Sequence, residues 1–154
     1  MSRRKGRIIA VQALYSWDVG KVSMEDLLQF TWLKALNNQT VEESDEIEEA
    51  QGSEAESDAS KDFARILITG TIENINQIDG LIKAHLSANW TIERMNKVSL
   101  AILRMSIFSF LKLEDTHHSI VIDEAIEIAK DFAQDDQYRF INGILDKISK
   151  ELSA

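Results

Sequence analysis

Four cations, Arg3, Arg4, Lys5 and Arg7, stand directly before an apolar periodic stretch. Side chains of this type at this density neutralise phosphates, and an arginine-rich segment at a helix start orders along a nucleic-acid backbone. Helix polarity argues the same way, because cations there face the positive end of the macrodipole until an anion joins them. Gly6 lowers helix propensity in the run by about 1 kcal/mol relative to alanine, so the arm over residues 1–7 is expected to be mobile until something binds it. The bland alternative is a solubilising tail. Tyr15 and Trp17, farther along the same stretch, could stack a base, although the apolar period makes Tyr15 equally a core residue.

A second constellation lies near the other end. Tyr138, Arg139 and Phe140, preceded by Asp135 and Asp136, put aromatic and cationic groups near a helix start, the kind used for single-stranded RNA. Asn142 and Gly143 then intrude in mid-helix, where the glycine is expected to mark close approach of another helix. Nothing nominates a catalytic site: there is no phosphate-cradling glycine loop, no HExxH and no evident Ser, His and Asp set. His117 and His118 are adjacent in a turn, point different ways, and read as exposed loop histidines. Glu124 and Glu127, one turn apart, could share a metal, but a solvated helix face with Lys130 as ion-pair partner explains them equally well. An enzyme is therefore not the first choice, and no cofactor is implied.

The elements that must position these residues are helical. The 154 residues suit one domain with one core, and the absence of proline, where roughly eight are usual at this length, favours long uninterrupted helices. The absence of cysteine excludes disulfides and thiolate chemistry and fits a reducing, cytoplasmic setting. No apolar run approaches the ~18 residues that span a bilayer, so a soluble protein with no membrane partner is expected.

A helix is predicted from Ile8 to about Asp18, with Gly20 as its C-cap. Ser23 to Asp26 has the form of a capping box opening a second helix through Leu27, Leu28, Phe30, Trp32, Leu33 and Leu36. Residues 37–60 are polar and acidic and read as a disordered or loosely helical insertion. Phe63, Ile66, Leu67, Gly70, Ile78, Leu81 and Ile82 mark one face of a long helix reaching Leu86, with Gly70 at a close helix crossing. Asn96 caps a helix apolar round much of its circumference, from Val98 to Leu113, and two amphipathic helices follow. The fold class is all-α, about seven helices in two packed helical subdomains.

The formal charge of −9 speaks against nucleic acid only as a sum. Nine acids and no base lie between Glu42 and Asp58, and without them 17 acids face 17 bases. The charge measures the insertion, and the arm is locally basic.

Arg3-Arg4-Lys5-Gly6-Arg7 followed by Ala10-Val11-Gln12-Ala13-Leu14-Tyr15-Ser16-Trp17 resembles the opening of the NusB family of transcription antitermination factors. Further stretches agree in order: Ile78 to Leu81 with Asn89-Trp90, Leu100 to Met105, and Val121 to Lys130 leading to Phe140 through Lys147. The resemblance spans nearly all of residues 1–154 except the insertion. It implies a non-catalytic, two-subdomain helical protein that pairs with NusE, a small-subunit ribosomal protein. The pair binds the boxA element of nascent RNA and, with NusA and NusG, helps RNA polymerase read through terminators in ribosomal operons. By the same resemblance Arg3, Arg4, Lys5 and Arg7 form the arginine-rich RNA-binding motif, Tyr15 accompanies it, and Asp136 and Phe140 face RNA or support its binding. The chain departs from the family pattern at Ser99, where an acid is frequent, near His85, where an aromatic is, and at Tyr138, where a histidine or similar residue is. Lys5 replaces an arginine, keeping charge but losing the bidentate fork. The alternative class is a helical protein-interaction or dimerisation module without RNA binding, and a homodimer of the free protein is left open. A methyltransferase that carries a NusB-like domain is not expected, since no cofactor-binding domain or catalytic cysteine is present.

Overall fold

The structure, a computed structural model, describes residues 2–30, 32, 54–134 and 136–153. Among them every regular element is helical: α1 (Ser2–Val19), α2 (Met24–Leu28), α3 (Glu54–Glu73), α4 (Ile75–Ala84), a 3-10 turn (Ile92–Arg94), α5 (Lys97–Lys112), α6 (His118–Phe132) and α7 (Gln137–Ser153). The chain divides into two compact units, Met1–Ile68 and Thr69–Ala154.

In the first unit the core is built from Ile9, Ala10, Val11, Ala13 and Leu14 of α1, with Leu27, Phe30, Ala64, Leu67 and Ile68. The basic arm is not a mobile extension. Residues 3–7 are the opening turns of α1, because Gly6 lets that helix lie against α3, where a Cβ would come within 2.9 Å of the Ser60 carbonyl oxygen. Gly20 also serves by size: no glycine among the described residues has positive φ, and it is Lys21 that takes the left-handed turn, at φ 56°. A Cβ on Gly20 would stand 2.9 Å from the Ser16 carbonyl oxygen, which accepts from both the Gly20 and Val22 amides.

The serine of the expected capping box accepts from the Asp26 amide at 3.2 Å. The helix it opens is shorter than predicted, because Phe30 turns left-handed (φ 57°) and drops its ring into the core. The Trp32 indole then returns to donate to the Leu27 carbonyl at 3.0 Å, satisfying an acceptor at the helix end. Leu33 and Leu36 lie outside the described residues, as does the acidic insertion as far as Ser53; residues 54–60 open α3.

The second unit is organised round α5. Every residue from Ser99 to Phe110 is buried, and the Asn96 side chain accepts from the Ser99 amide at 3.0 Å, capping the helix as predicted. The α6 and α7 helices pack on each other and on α5. On α4, Asp79 receives two bonds of 2.9 Å from Arg104, a guanidinium only 6% exposed. Gly70 meets α5 closely, since a Cβ there would lie 2.1 Å from the Phe108 ring. The long helix predicted from Phe63 to Leu86 is two helices. The Asn74 side chain donates to the Gly70 carbonyl at 2.8 Å and the backbone breaks there.

Candidate nucleic-acid interface

The four arm cations do not share one environment. Positions 3, 6 and 7 fall on one face of α1 by helical period. There the Arg3 and Arg7 guanidiniums lie 5.2 and 5.4 Å from the centroid of the Phe63 ring, with Gly6 between them at a point where a Cβ would come within 3.0 Å of the same ring. Arg7 is buried, whereas Arg3, Arg4 and Lys5 are exposed. No acid stands in the first turn of α1, so the arm and the helix start combine as positive potential. Tyr15, 40% exposed, stands about 16 Å along the helix from Arg4, close to the same azimuth.

In the second unit Asp136 takes a left-handed conformation (φ 69°) at the turn into α7, its carboxylate 3.9 Å from the Arg139 Nε. Arg139 Nε donates to the Tyr138 hydroxyl at 3.2 Å, and this bond, first, and then the nearby charges hold the arginine above its ordinary pKa, a cation at every relevant pH. Lys130 Nζ lies 5.2 Å from the Tyr138 centroid and Arg139 Cζ 5.7 Å. Lys130 thus serves the tyrosine ring, a role its ion-pair spacing to Glu127 did not suggest. A cavity of about 460 Å³ is lined by Lys130, Gln134, Asp136 and Tyr138.

Phe140 belongs to a different hollow. Half-buried, it lines a cavity of about 400 Å³ with Leu86, Trp90, Met95 and Gln137, and His85 on the wall lies 2.6 Å from Glu151. Ser99 is fully buried and donates to Gln137 Oε1 at 2.8 Å, so this departure from the family pattern is an internal tie of α5 to α7. Gly143, expected at a helix contact, is exposed, and a Cβ there would meet nothing within 4 Å. His117 is exposed as predicted, but His118 is half-buried, 2.7 Å from the Ser149 hydroxyl and stacked 4.3 Å from Phe110.

In the sequence Phe63 is only one residue of an apolar face, and nothing in that pattern shows its place beneath the arm. The available signal was Gly6 itself, a glycine inside a cationic helix start, which marks close approach as readily as flexibility. Among the described residues no group of three His, Asp or Glu side chains could hold a metal, and no helix is long and apolar enough to cross a membrane.

Comparison with known proteins places the same residues in context. A family model described as the NusB family matches residues 4–150. The transcription antitermination protein NusB of Treponema denticola is 43% identical over 151 residues, 98% of each chain. The solved structure of T. maritima NusB is similar with a TM-score of 0.73 and 32% identity, covering 97% of this chain and 91% of that one. A chain from the antitermination factors NusB and NusE in complex with dsRNA matches in fold, with a TM-score of 0.72 and 21% identity over 97% of both chains.

Proposed function

The chain belongs to the NusB family of transcription antitermination factors, and from that premise we propose that it binds boxA-type single-stranded RNA in nascent rRNA transcripts together with NusE. In this reading it is an adaptor rather than an enzyme, and the RNA-bound pair assists RNA polymerase, with NusA and NusG, in reading through terminators. The observation that carries the reading is the ordered start of α1, which holds Arg3, Arg4 and Lys5 exposed on a helix end already positive by its dipole. Tyr15 farther along α1 and, in the second unit, Arg139 and Phe140 supply stacking and charge, and Asp136 fixes the turn that aims Arg139. The related fold in complex with NusE and dsRNA supports both kinds of partner.

Titration of a labelled boxA-type RNA, a scrambled single strand and a duplex of the same length, each with and without NusE, tests this. The expected result is tightest binding of the boxA-type strand with NusE present. Equal affinity for all three RNAs, unaffected by NusE and by Arg3, Arg4 or Lys5→Ala, would return the protein to the class of interaction modules.

A further inference from the structure

We propose that Phe63 and Gly6 form a seat that holds the basic start of α1 in its RNA-binding conformation, with the buried Arg7 gripping the protein, Arg3 laid over the same ring at the exposed edge, and Arg4 and Lys5 facing outward. The inference rests on the reading of the arm as the RNA-binding element and assigns Phe63 as its positioning residue.

One face of α1 supplies all three contacts. Two guanidiniums lie 5.2 and 5.4 Å from one ring centroid, and the position between them leaves no room for a Cβ. The aromatic quadrupole of the Phe63 ring attracts a cation and leaves its formal charge intact. Stacking also engages the plane of a guanidinium rather than its N–H fork, the part that recognises phosphate. A seated arm has its ordering entropy settled before RNA arrives, while an unseated one must lose it on binding.

Gly6 makes the proposal sharp, because helix propensity and seating predict opposite signs. Alanine at position 6 favours the helix, so if helicity alone governed binding, Gly6→Ala would tighten it. If the seat governs, the new Cβ, 2.9 Å from the Ser60 carbonyl oxygen and 3.0 Å from Phe63, lifts the arm and weakens binding.

The test uses the full chain, a boxA-type single-stranded RNA with NusE present, and two readouts: RNA affinity, and the rate of tryptic cleavage after Arg4 and Lys5 in the RNA-free protein. Phe63→Leu, which keeps an apolar side chain and removes the ring, is expected to weaken binding about tenfold and to speed cleavage, with Phe63→Tyr restoring both to within about twofold. Gly6→Ala is expected to act like Phe63→Leu on both readouts. Tighter binding by Gly6→Ala, or wild-type affinity and cleavage for Phe63→Leu, overturns the seat. If Arg4→Ala weakens binding while Phe63→Leu does not, only the seat falls. If neither changes affinity, the RNA reading of the arm falls and takes the seat with it.

Discussion

Removing the arm charges one at a time separates the cations that reach phosphate from the cation that holds the helix. Each cation placed on a single-stranded phosphate contributes about −0.7 to the slope of log affinity against log salt. Four such contacts would give about −2.8, or roughly a fiftyfold loss between about 50 and 200 mM salt. Arg7, however, is 5% exposed and lies against the Phe63 ring. Arg3, Arg4 and Lys5 then contribute about −2.1, roughly an eighteenfold loss over the same range. Arg4→Ala with Lys5→Ala should bring the arm's share down to about −0.7, less than about threefold. Arg7→Ala should leave the slope unchanged and lower affinity about twofold to fivefold at every salt concentration, the worth of one cation–π contact. Fluorescence anisotropy of a labelled boxA-type RNA with NusE, repeated across a salt series for each variant, gives both numbers. A slope that flattens by about 0.7 in Arg7→Ala would refute the reasoning, because the buried guanidinium would then be reaching phosphate in the complex.

Three further substitutions probe the scaffold. Gly70→Ala drives a Cβ to 2.1 Å from the Phe108 ring and should cost about 1–3 kcal/mol in urea unfolding, with Phe108→Leu recovering part of the loss; additive effects of the two changes would argue against the contact. Asp79→Ala removes two 2.9 Å bonds from an Arg104 that is 6% exposed, and a loss of about 3 kcal/mol is expected in the same assay, against under about 1 kcal/mol if the pair behaves as a surface bridge. Gly143→Ala fills open space on α7 and should raise the melting temperature by about 2–4 °C, with no change meaning that the propensity gain is cancelled elsewhere.

Periodicity carried most of the fold into view. The face from Val98 to Leu113 and the Asn96 cap announce α5, since a helix in the middle of a bundle must be apolar on nearly every side. Gly70 could be placed at a crossing because both flanks kept the helical repeat. That same continuity hid the break at Asn74, which is made by one side-chain bond to the Gly70 carbonyl and leaves the apolar pattern undisturbed. Phe30 ends α2 with a left-handed backbone that its residue type does not advertise. In the arm, charge was legible and its division was not. Arg4 and Arg7 look alike in a sequence, and what distinguishes them is a ring on another helix. Gly143 shows the limit of reading glycines by rule, since the same residue that marks a crossing at position 70 opens onto solvent at position 143.

The cavity lined by Phe140 also equips the protein with an optical reporter. Of the three indoles, Trp32 is tied by its N–H to the Leu27 carbonyl and Trp17 is half-buried, while Trp90 stands 43% exposed on the wall of that hollow. With Trp17 and Trp32 replaced by phenylalanine, the emission of the whole chain would come from one fluorophore at one cavity. A base or side chain entering beside Phe140 would register as quenching or a spectral shift without any attached dye. Occupancy of the second unit could then be followed in real time and separately from events at the arm.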